Sequence, residues 1–365
     1  MYLNNSKYRT LFETLKKDIL CGKYSSAKPF PSLRLLMRRH GLSKNTVQRA
    51  IDELVHQGLI SRKQGCGTFV TRSARSRLIG LVVPGLSYSP EYFHRIISAM
   101  VVEAQKNDYS ILVDGTWGTN SDSNNQEAVE VAARLIRRKV AGVIYHPVEY
   151  SEDSDKVNSR VLDAFARAKI PVVLLDSDIA AWPTRSVYDL VSVDNVGAGL
   201  TLANYLMDLG AKNICFLMRN NLIGNLADRV KGVAMGALAA GRKWGRAHEL
   251  VVGPSDAEAI AKVMRRRPRP DAFICENSLL AAGLRSVLMN LGFAVPKDVM
   301  VAGFDDAHCA SSLVPPLTTV SWSADTMAEM AFEHLQRRIA RPELPPTAFS
   351  VPYVLKVGSS TRSRN

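Results

Sequence analysis

Near the amino terminus, apolar residues recur at helical spacing. Tyr8, Leu11, Leu15 and Ile19 share one face of a helix over 7–21, which Gly22 stops. Pro29 and Pro31 bracket a turn, and Ser32 is placed to cap a helix over 33–40. Gly41-Leu42-Ser43 then interrupts the chain before a third helix over 44–57, with Ser43 as its cap and Val47, Ile51, Leu54 and Val55 on one side. After Gly58 the pattern becomes extended. Leu59-Ile60 enters a hairpin that returns at Thr68-Phe69-Val70, with Gly65-Cys66-Gly67 near its tip. The predicted order is helix, helix, turn, helix, two-stranded wing.

A polar, basic stretch, TRSARSR at 71–77, separates this unit from a different rhythm. Short apolar runs at 78–83, 110–113, 141–145, 171–175, 190–193, 213–218, 272–275 and 299–302 predict buried strands. Helical patterns at 91–106, 124–138, 197–209, 228–241 and 278–291 separate most of them. Such alternation predicts parallel sheets covered by helices, and the length suits two lobes. The expected organisation is a winged helix-turn-helix of α+β class over 1–71, a linker over 72–77, an α/β two-lobed body over 78–358, and a tail over 359–365.

Charge sharpens this division. The 365 residues carry 47 Lys+Arg against 34 Asp+Glu, a net of +13. Residues 1–77 hold sixteen of the cations and four of the acids, leaving thirty-one and thirty for 78–365. A cationic head on a nearly neutral body points to a polyanion bound at one end. The five cysteines, Cys21, Cys66, Cys215, Cys275 and Cys309, are odd in number, far apart and without a CxxC, which argues against a disulfide framework or a thiolate zinc site. The start has no apolar stretch of signal-peptide type, and no run approaches the ~18 apolar residues of a membrane span. The expected compartment is the cytoplasm, with no membrane partner.

Two short helices joined by a tight turn can place the second in a DNA major groove. Lys44, Asn45 and Thr46 stand at its leading end, with Gln48 and Arg49 about a turn further on. Asn and Gln suit adenine, while Arg and Lys suit guanine. Arg34 on the preceding helix can hold the backbone, and Lys63, Gly65 and Gly67 at the wing allow close approach to a groove. Residues 8–70 resemble the winged helix-turn-helix of the GntR family of bacterial transcription regulators. The likeness is carried by Ile19, Gly22 and Tyr24, by Pro31-Ser32 with Arg34, by Leu42 through Val47, by Gly58-Leu59-Ile60 and by Gln64 through Val70. It implies that Arg34, Lys44, Thr46, Gln48, Arg49, Gly65 and Gly67 fall at the operator contacts. Lys44 and Gln48 stand where that family usually has Arg, so the operator is expected to depart from the family norm.

In the body, Val193-Asp194-Asn195, Asp228 through Gly232, Asp271 through Ser278, Val295 through Val299, Gly303 through Asp306 and Pro315 through Val320 resemble the effector domain of the LacI/GalR regulators, which shares the fold of periplasmic sugar receptors. The likeness covers about 78–358 and implies a ligand cleft between two α/β lobes. A GntR-type head on such a body is the architecture of the bacillar arabinose repressors. By resemblance, Tyr92, Phe93, Asp176, Arg229, Asn277, Ser278, Asp305 and Trp322 are the candidate effector contacts. Carboxylates, amides, an arginine fork and aromatic faces are what a sugar requires. Ser278 replaces the usual Asp, removing one anion and leaving open a phosphorylated or acidic sugar.

Catalysis is not expected. No GxxxxGK[ST], HExxH or GxSxG occurs, and the glycine run after Val193 has Leu202 at its third position. The expected function is a ligand-responsive, sequence-specific transcription regulator. It would need no cofactor, act as a homodimer on a pseudo-palindromic double-stranded operator, and repress carbohydrate genes under control of a sugar or sugar derivative. The alternatives are a ligand-independent architectural DNA binder and an enzyme acting on a sugar.

Overall fold

The computed structural model describes residues 3–20, 23–24, 29–57, 59–63, 67–70, 77–83, 90–115, 121–149, 153–219, 224–253, 256–305 and 313–361. The linker over 72–76 and the wing residues 64–66 lie outside them.

The head consists of α1 (Leu3–Leu20), α2 (Leu33–His40), α3 (Lys44–His56) and the antiparallel pair β1 (Ile60–Lys63) and β2 (Gly67–Val70). Its caps are those the sequence predicts. The Ser32 hydroxyl accepts from the Leu35 amide, the Ser43 hydroxyl from the Thr46 amide, and Gly41 closes α2 at φ 62°. A left-handed residue there favours glycine. Leu11, Leu15, Leu36, Val47, Leu54 and Ile60 form one small core. The Phe30 amide donates to the Thr68 carbonyl at 2.7 Å, fixing the wing against the start of α2.

The body has two six-stranded sheets. In lobe 1, β3 (Leu78–Val83), β4 (Ser110–Gly115), β5 (Gly142–Tyr145), β6 (Val172–Leu175), β7 (Asp189–Val193) and β13 (Ala348–Val351) are all parallel, in the order β13-β7-β6-β5-β3-β4. In lobe 2, β8 (Ile214–Met218), β9 (Glu249–Val251), β10 (Ala272–Cys275), β11 (Met300–Phe304), β12 (Thr318–Trp322) and β14 (Tyr353–Lys356) run in the order β14-β12-β11-β10-β8-β9, with β14 alone antiparallel. Helices α4 (Pro90–Lys106), α5 (Ser121–Arg137), α6 (Ser154–Arg167) and α11 (Ala324–Ala340) accompany the first sheet. Helices α7 (Asn195–Asp208), α8 (Gly224–Ala239), α9 (Ala257–Met264) and α10 (Ser278–Asn290) accompany the second. The chain crosses between lobes three times, at Asp194, Ser323 and Pro352, each time where a strand of one lobe ends and an element of the other begins.

Ser360 and Thr361, assigned by sequence to a tail, belong to lobe 2. Both are buried. The Ser360 hydroxyl donates to the Val301 carbonyl at 2.6 Å and accepts from the Thr318 amide at 2.8 Å. The packed body therefore extends past 358, because Thr318 and Ser321 are buried hydroxyl positions and Thr318 needs partners that only this segment supplies.

Candidate functional site

On the head, α3 presents Lys44, Asn45 and Arg49 to solvent, and α2 presents Arg34. Gln48 is half-buried and donates from Nε2 to Asp52 Oδ1 at 2.9 Å; Arg62 of β1 pairs with the same carboxylate. The Arg49 guanidinium lies 4.2 Å from the Tyr8 ring centroid, holding it against α1 while leaving it exposed. Thr46 differs from its neighbours. It is buried, its hydroxyl lies 2.9 Å from that of Ser43, and its amide fills the cap, so its first role is to start the helix. Gly67 has φ 105° and no side chain nearer its would-be Cβ than Pro29 at 3.9 Å, so backbone geometry alone demands glycine. Gly65 and the side chain of Lys63 lie outside the described residues.

In the body the two lobes mirror each other at the ends of equivalent strands. Asp176 follows β6 and Asp305 follows β11, each with positive φ, 65° and 60°. Each donates its amide across to the next strand, to Val191 at 2.8 Å and to Val320 at 3.1 Å. Asp tolerates this conformation better than most residues, and such strain concentrates at binding sites. Both carboxylates thus project at the carboxyl ends of parallel strands, where open α/β folds bind ligands.

Around them stands a buried polar cluster. Arg229 of α8 donates from Nε to Asn195 at 2.9 Å, from one terminal nitrogen to the Glu276 carbonyl at 2.8 Å, and from both to the Asp305 carboxylate at 3.1 Å. Burial opposes its charge, but Asp305 and then Asp176 raise its pKa further. Trp322 Nε1 donates to Asp305 at 3.1 Å, and its ring meets Tyr92 edge-on at 5.6 Å. Asp176 accepts from Asn225 Nδ2 at 2.6 Å and faces His146 Nε2 at 3.5 Å. Burial works against both charges of that last pair. Their mutual contact nonetheless lowers the Asp176 pKa and, with Glu149, raises that of His146. Burial raises the Glu149 pKa, which His146 only partly offsets. Among the described residues the buried Tyr92 hydroxyl has no well-formed hydrogen bond, and desolvation, followed by the Asp176 charge, holds its pKa well above 10. A buried, unpaired hydroxyl beside a carboxylate is a position that a ligand hydroxyl can complete.

Of the eight residues expected from sequence, Tyr92, Asp176, Arg229, Asp305 and Trp322 converge here. Phe93 is 6% exposed and belongs to the lobe 1 core, packing edge-on against His146 at 5.2 Å. Asn277 caps α10 by accepting from the Leu280 amide at 2.9 Å. Ser278 is 1% exposed and turned inward, its hydroxyl donating to the carbonyls of Phe304 and Asp305. Its short side chain braces the Asp305 turn, so its lack of charge says nothing about the ligand. His146, Glu149, Asn195 and Asn225 were not expected. His146 and Glu149 do follow strand β5 as Asp176 follows β6, and that position is the signal that could have found them.

The cluster adjoins an open cleft of about 700 Å³ between the lobes, with Asp176 in its wall. Among the described residues, the charged wall residues are Glu149, Asp155, Asp176, Asp178, Asp194 and Asp228 against Arg185 and Lys231. Both cations are already paired, Arg185 with Asp178 at 3.1 Å and Lys231 with Asp228 at 2.8 Å. Among the described residues no group of three His, Cys, Asp or Glu side chains is placed to hold a metal ion, and no helix is long and apolar enough to cross a membrane.

Residues 7–70 match the family Bacterial regulatory proteins, gntR family, and residues 203–361 match the Periplasmic binding protein-like domain. Among curated proteins, the chain is similar to the arabinose metabolism transcriptional repressor of Halalkalibacterium halodurans. The two are 26% identical over 331 residues, covering 86% of this chain and 84% of that protein. The protein of the same description from Geobacillus stearothermophilus is 25% identical over 374 residues, covering 93% and 96%. Among solved structures, the transcriptional regulator CelR–cellobiose complex aligns with a TM-score of 0.67 at 19% identity, over 91% of this chain and 100% of that one.

Proposed function

We propose that this chain, a transcription regulator joining a gntR-family head to a periplasmic-binding-protein-like body, represses carbohydrate-utilisation genes in response to a sugar bound between its lobes. The observation that carries the reading is the pairing, in one chain, of a capped helix exposing Lys44, Asn45 and Arg49 with a cleft walled by Glu149, Asp176, Asn195 and Asn225 and adjoined by the buried Arg229, Asp305 and Trp322. Two heads of a homodimer would read the half-sites of a pseudo-palindromic operator. Arg34, Lys44, Asn45, Gln48 and Arg49 supply the contacts, with Lys63, Gly65 and Gly67 at the wing. The ligand changes operator affinity by binding one arrangement of the lobes better than the other.

The cleft favours an uncharged, polyhydroxylated ligand. Its carboxylates accept hydrogen bonds from hydroxyls, while a phosphate or carboxylate would meet six acids and no unpaired cation among the described wall residues. That the related repressors act in arabinose metabolism and that one structural relative is a cellobiose complex supports the same class.

The test is to recover the genomic fragments that the purified protein retains, sequence them, and then challenge the strongest with neutral aldoses and with their phosphates. A shared pseudo-palindrome beside carbohydrate genes, released or tightened by a neutral sugar, is the expected result. Retention with no common motif would favour the architectural alternative.

A further inference from the structure

The cations of the body are unevenly placed. Four loops precede the neighbouring lobe 2 strands β9, β8, β10 and β11: residues 240–248, 209–213, 265–271 and 291–299. They line one edge of the sheet, at the strand ends opposite the cleft. Together they hold nine Lys+Arg, from Lys212 through the Arg265-Arg266-Arg267 run to Lys297, against only Asp271 and Asp298. The rest of 78–365 holds twenty-two cations against twenty-eight acids. Both acids in the loops are committed to backbone amides, Asp271 to Lys212 and Asn213, and Asp298 to Ala294. Arg242, Lys243, Arg246, Arg265, Arg266 and Arg267 are exposed, and none forms an ion pair among the described residues.

We propose that this pole of lobe 2 is a second, sequence-independent binding surface for the phosphate backbone of duplex DNA. Four adjacent strands span about 15 Å at ~4.8 Å each. Duplex DNA carries about nine charges over that length, one per ~1.7 Å with both strands counted, so nine cations are enough to face the phosphates on its near side. Six of the nine are arginines, whose forked guanidinium suits phosphate. Local contacts hold the surface in shape. Arg266 donates to the Ala247 carbonyl at 2.6 Å, Arg269 stacks 5.2 Å over Phe293, and Trp244 stacks on His248 at 5.2 Å. The four loops expose only one large apolar side chain, Leu291, so the buried anchor typical of a protein partner is missing. A chain already held on DNA by its head also meets a second duplex segment at high effective concentration.

The test uses the full-length chain with its head silenced by R34A/K44A/R49A and a labelled 30-base-pair duplex of random sequence. The silenced chain is expected to keep salt-sensitive binding. Adding R265E/R266E/R267E should weaken it at least tenfold and reduce the slope of log K against log salt by about 3, one unit for each lost phosphate contact. R242Q/K243Q/R246Q, which spares the Arg266 bond, should act in the same direction and serves if the first variant does not fold. Loss of all binding on silencing the head would overturn the proposal. So would pole variants that bind as tightly as their parent, the result expected if the patch serves an acidic protein or only the helix ends. The pole variant with an intact head should still enrich the selected genomic fragments. Failure of that enrichment in the unaltered protein would count against the regulator reading instead.

Discussion

Arg229 donates to an amide, a carbonyl and both oxygens of Asp305 while only 6% exposed. Removing one member of a buried pair strands the other, typically at about 3–5 kcal/mol, whereas replacing both with apolar residues costs far less. R229A is therefore expected to lose about that much in urea denaturation, and R229M/D305N, which removes both charges but keeps at φ 60° a residue that tolerates it and an acceptor for Trp322, to recover most of it. Equal losses in both variants would mean that the hydrogen bonds to Asn195 and Glu276, not the ion pair, hold the site. His146 gives a pH signature. Its pKa is raised in the folded state, so the stability it contributes is full below pH 6.5 and is lost as pH rises through the folded value. Asp176, with a lowered pKa, contributes above about pH 4 and loses that contribution as pH falls through its folded value. The gap in melting temperature between the protein and H146N should thus be widest between about pH 5 and 6.5 and narrow on the alkaline side. A gap that widens with pH would contradict the His146–Asp176 pairing. Asp176 was legible from sequence because it follows a strand end, and Arg229 because it lies in the Asp228-to-Gly232 motif. Ser278 misled because its position, but not its inward rotamer, can be read from a motif.

Helices α7 and α8 approach through glycine. A Cβ on Gly232 would lie 2.0 Å from the Val196 carbonyl oxygen, and one on Gly199 would lie 2.1 Å from that of Arg229. Both obstacles are backbone and cannot swing aside. G232A should cost at least the ~1–3 kcal/mol of ordinary overpacking and, by moving Arg229, lower ligand affinity as well. Calorimetry on the variant checks both; an unchanged melting temperature would mean that the helices slide freely. At this scale the sequence pattern is readable where an element is apolar and passes over it where burial is polar. The strand Thr318–Trp322 is wholly buried, yet three of its five residues carry hydroxyls, and Ser360, Thr361 and Gly358 satisfy its Thr318 from across the chain. Strands β9 and β13 each bury a single residue, so neither shows as an apolar run. The stripe Met327-Ala331-Leu335 reads as a helix, but nothing local says that α11, which follows a lobe 2 strand, returns to pack on α4 in lobe 1.

At the scale of the whole molecule, the described residues link the lobes by three chain crossings, at Asp194, Ser323 and Pro352, and a set of that kind permits rotation about a common axis. Asn225 bridges the cleft away from those crossings. Its side chain donates to Asp176 at 2.6 Å, and its amide meets Glu149 at 3.4 Å. Gly224 beside it has φ 57°, a conformation that favours glycine, and a Cβ there would lie 1.9 Å from the Glu149 carboxylate, which would have to swing aside. The contacts across the cleft thus include one short segment facing two carboxylates that a ligand would also engage, together with Lys231 Nζ 5.8 Å from the Trp182 ring centroid. N225A removes the side-chain bond without disturbing either core. It should shift the population toward separated lobes, seen as a larger radius of gyration in solution scattering. If closure is the arrangement coupled to the heads, the variant's operator affinity must move in the same direction as that of unliganded protein, because ligand and operator binding are reciprocally linked through the same equilibrium. A variant whose scattering and operator affinity both match the parent would mean that the hinge segments themselves, and not Asn225, set the balance between open and closed lobes.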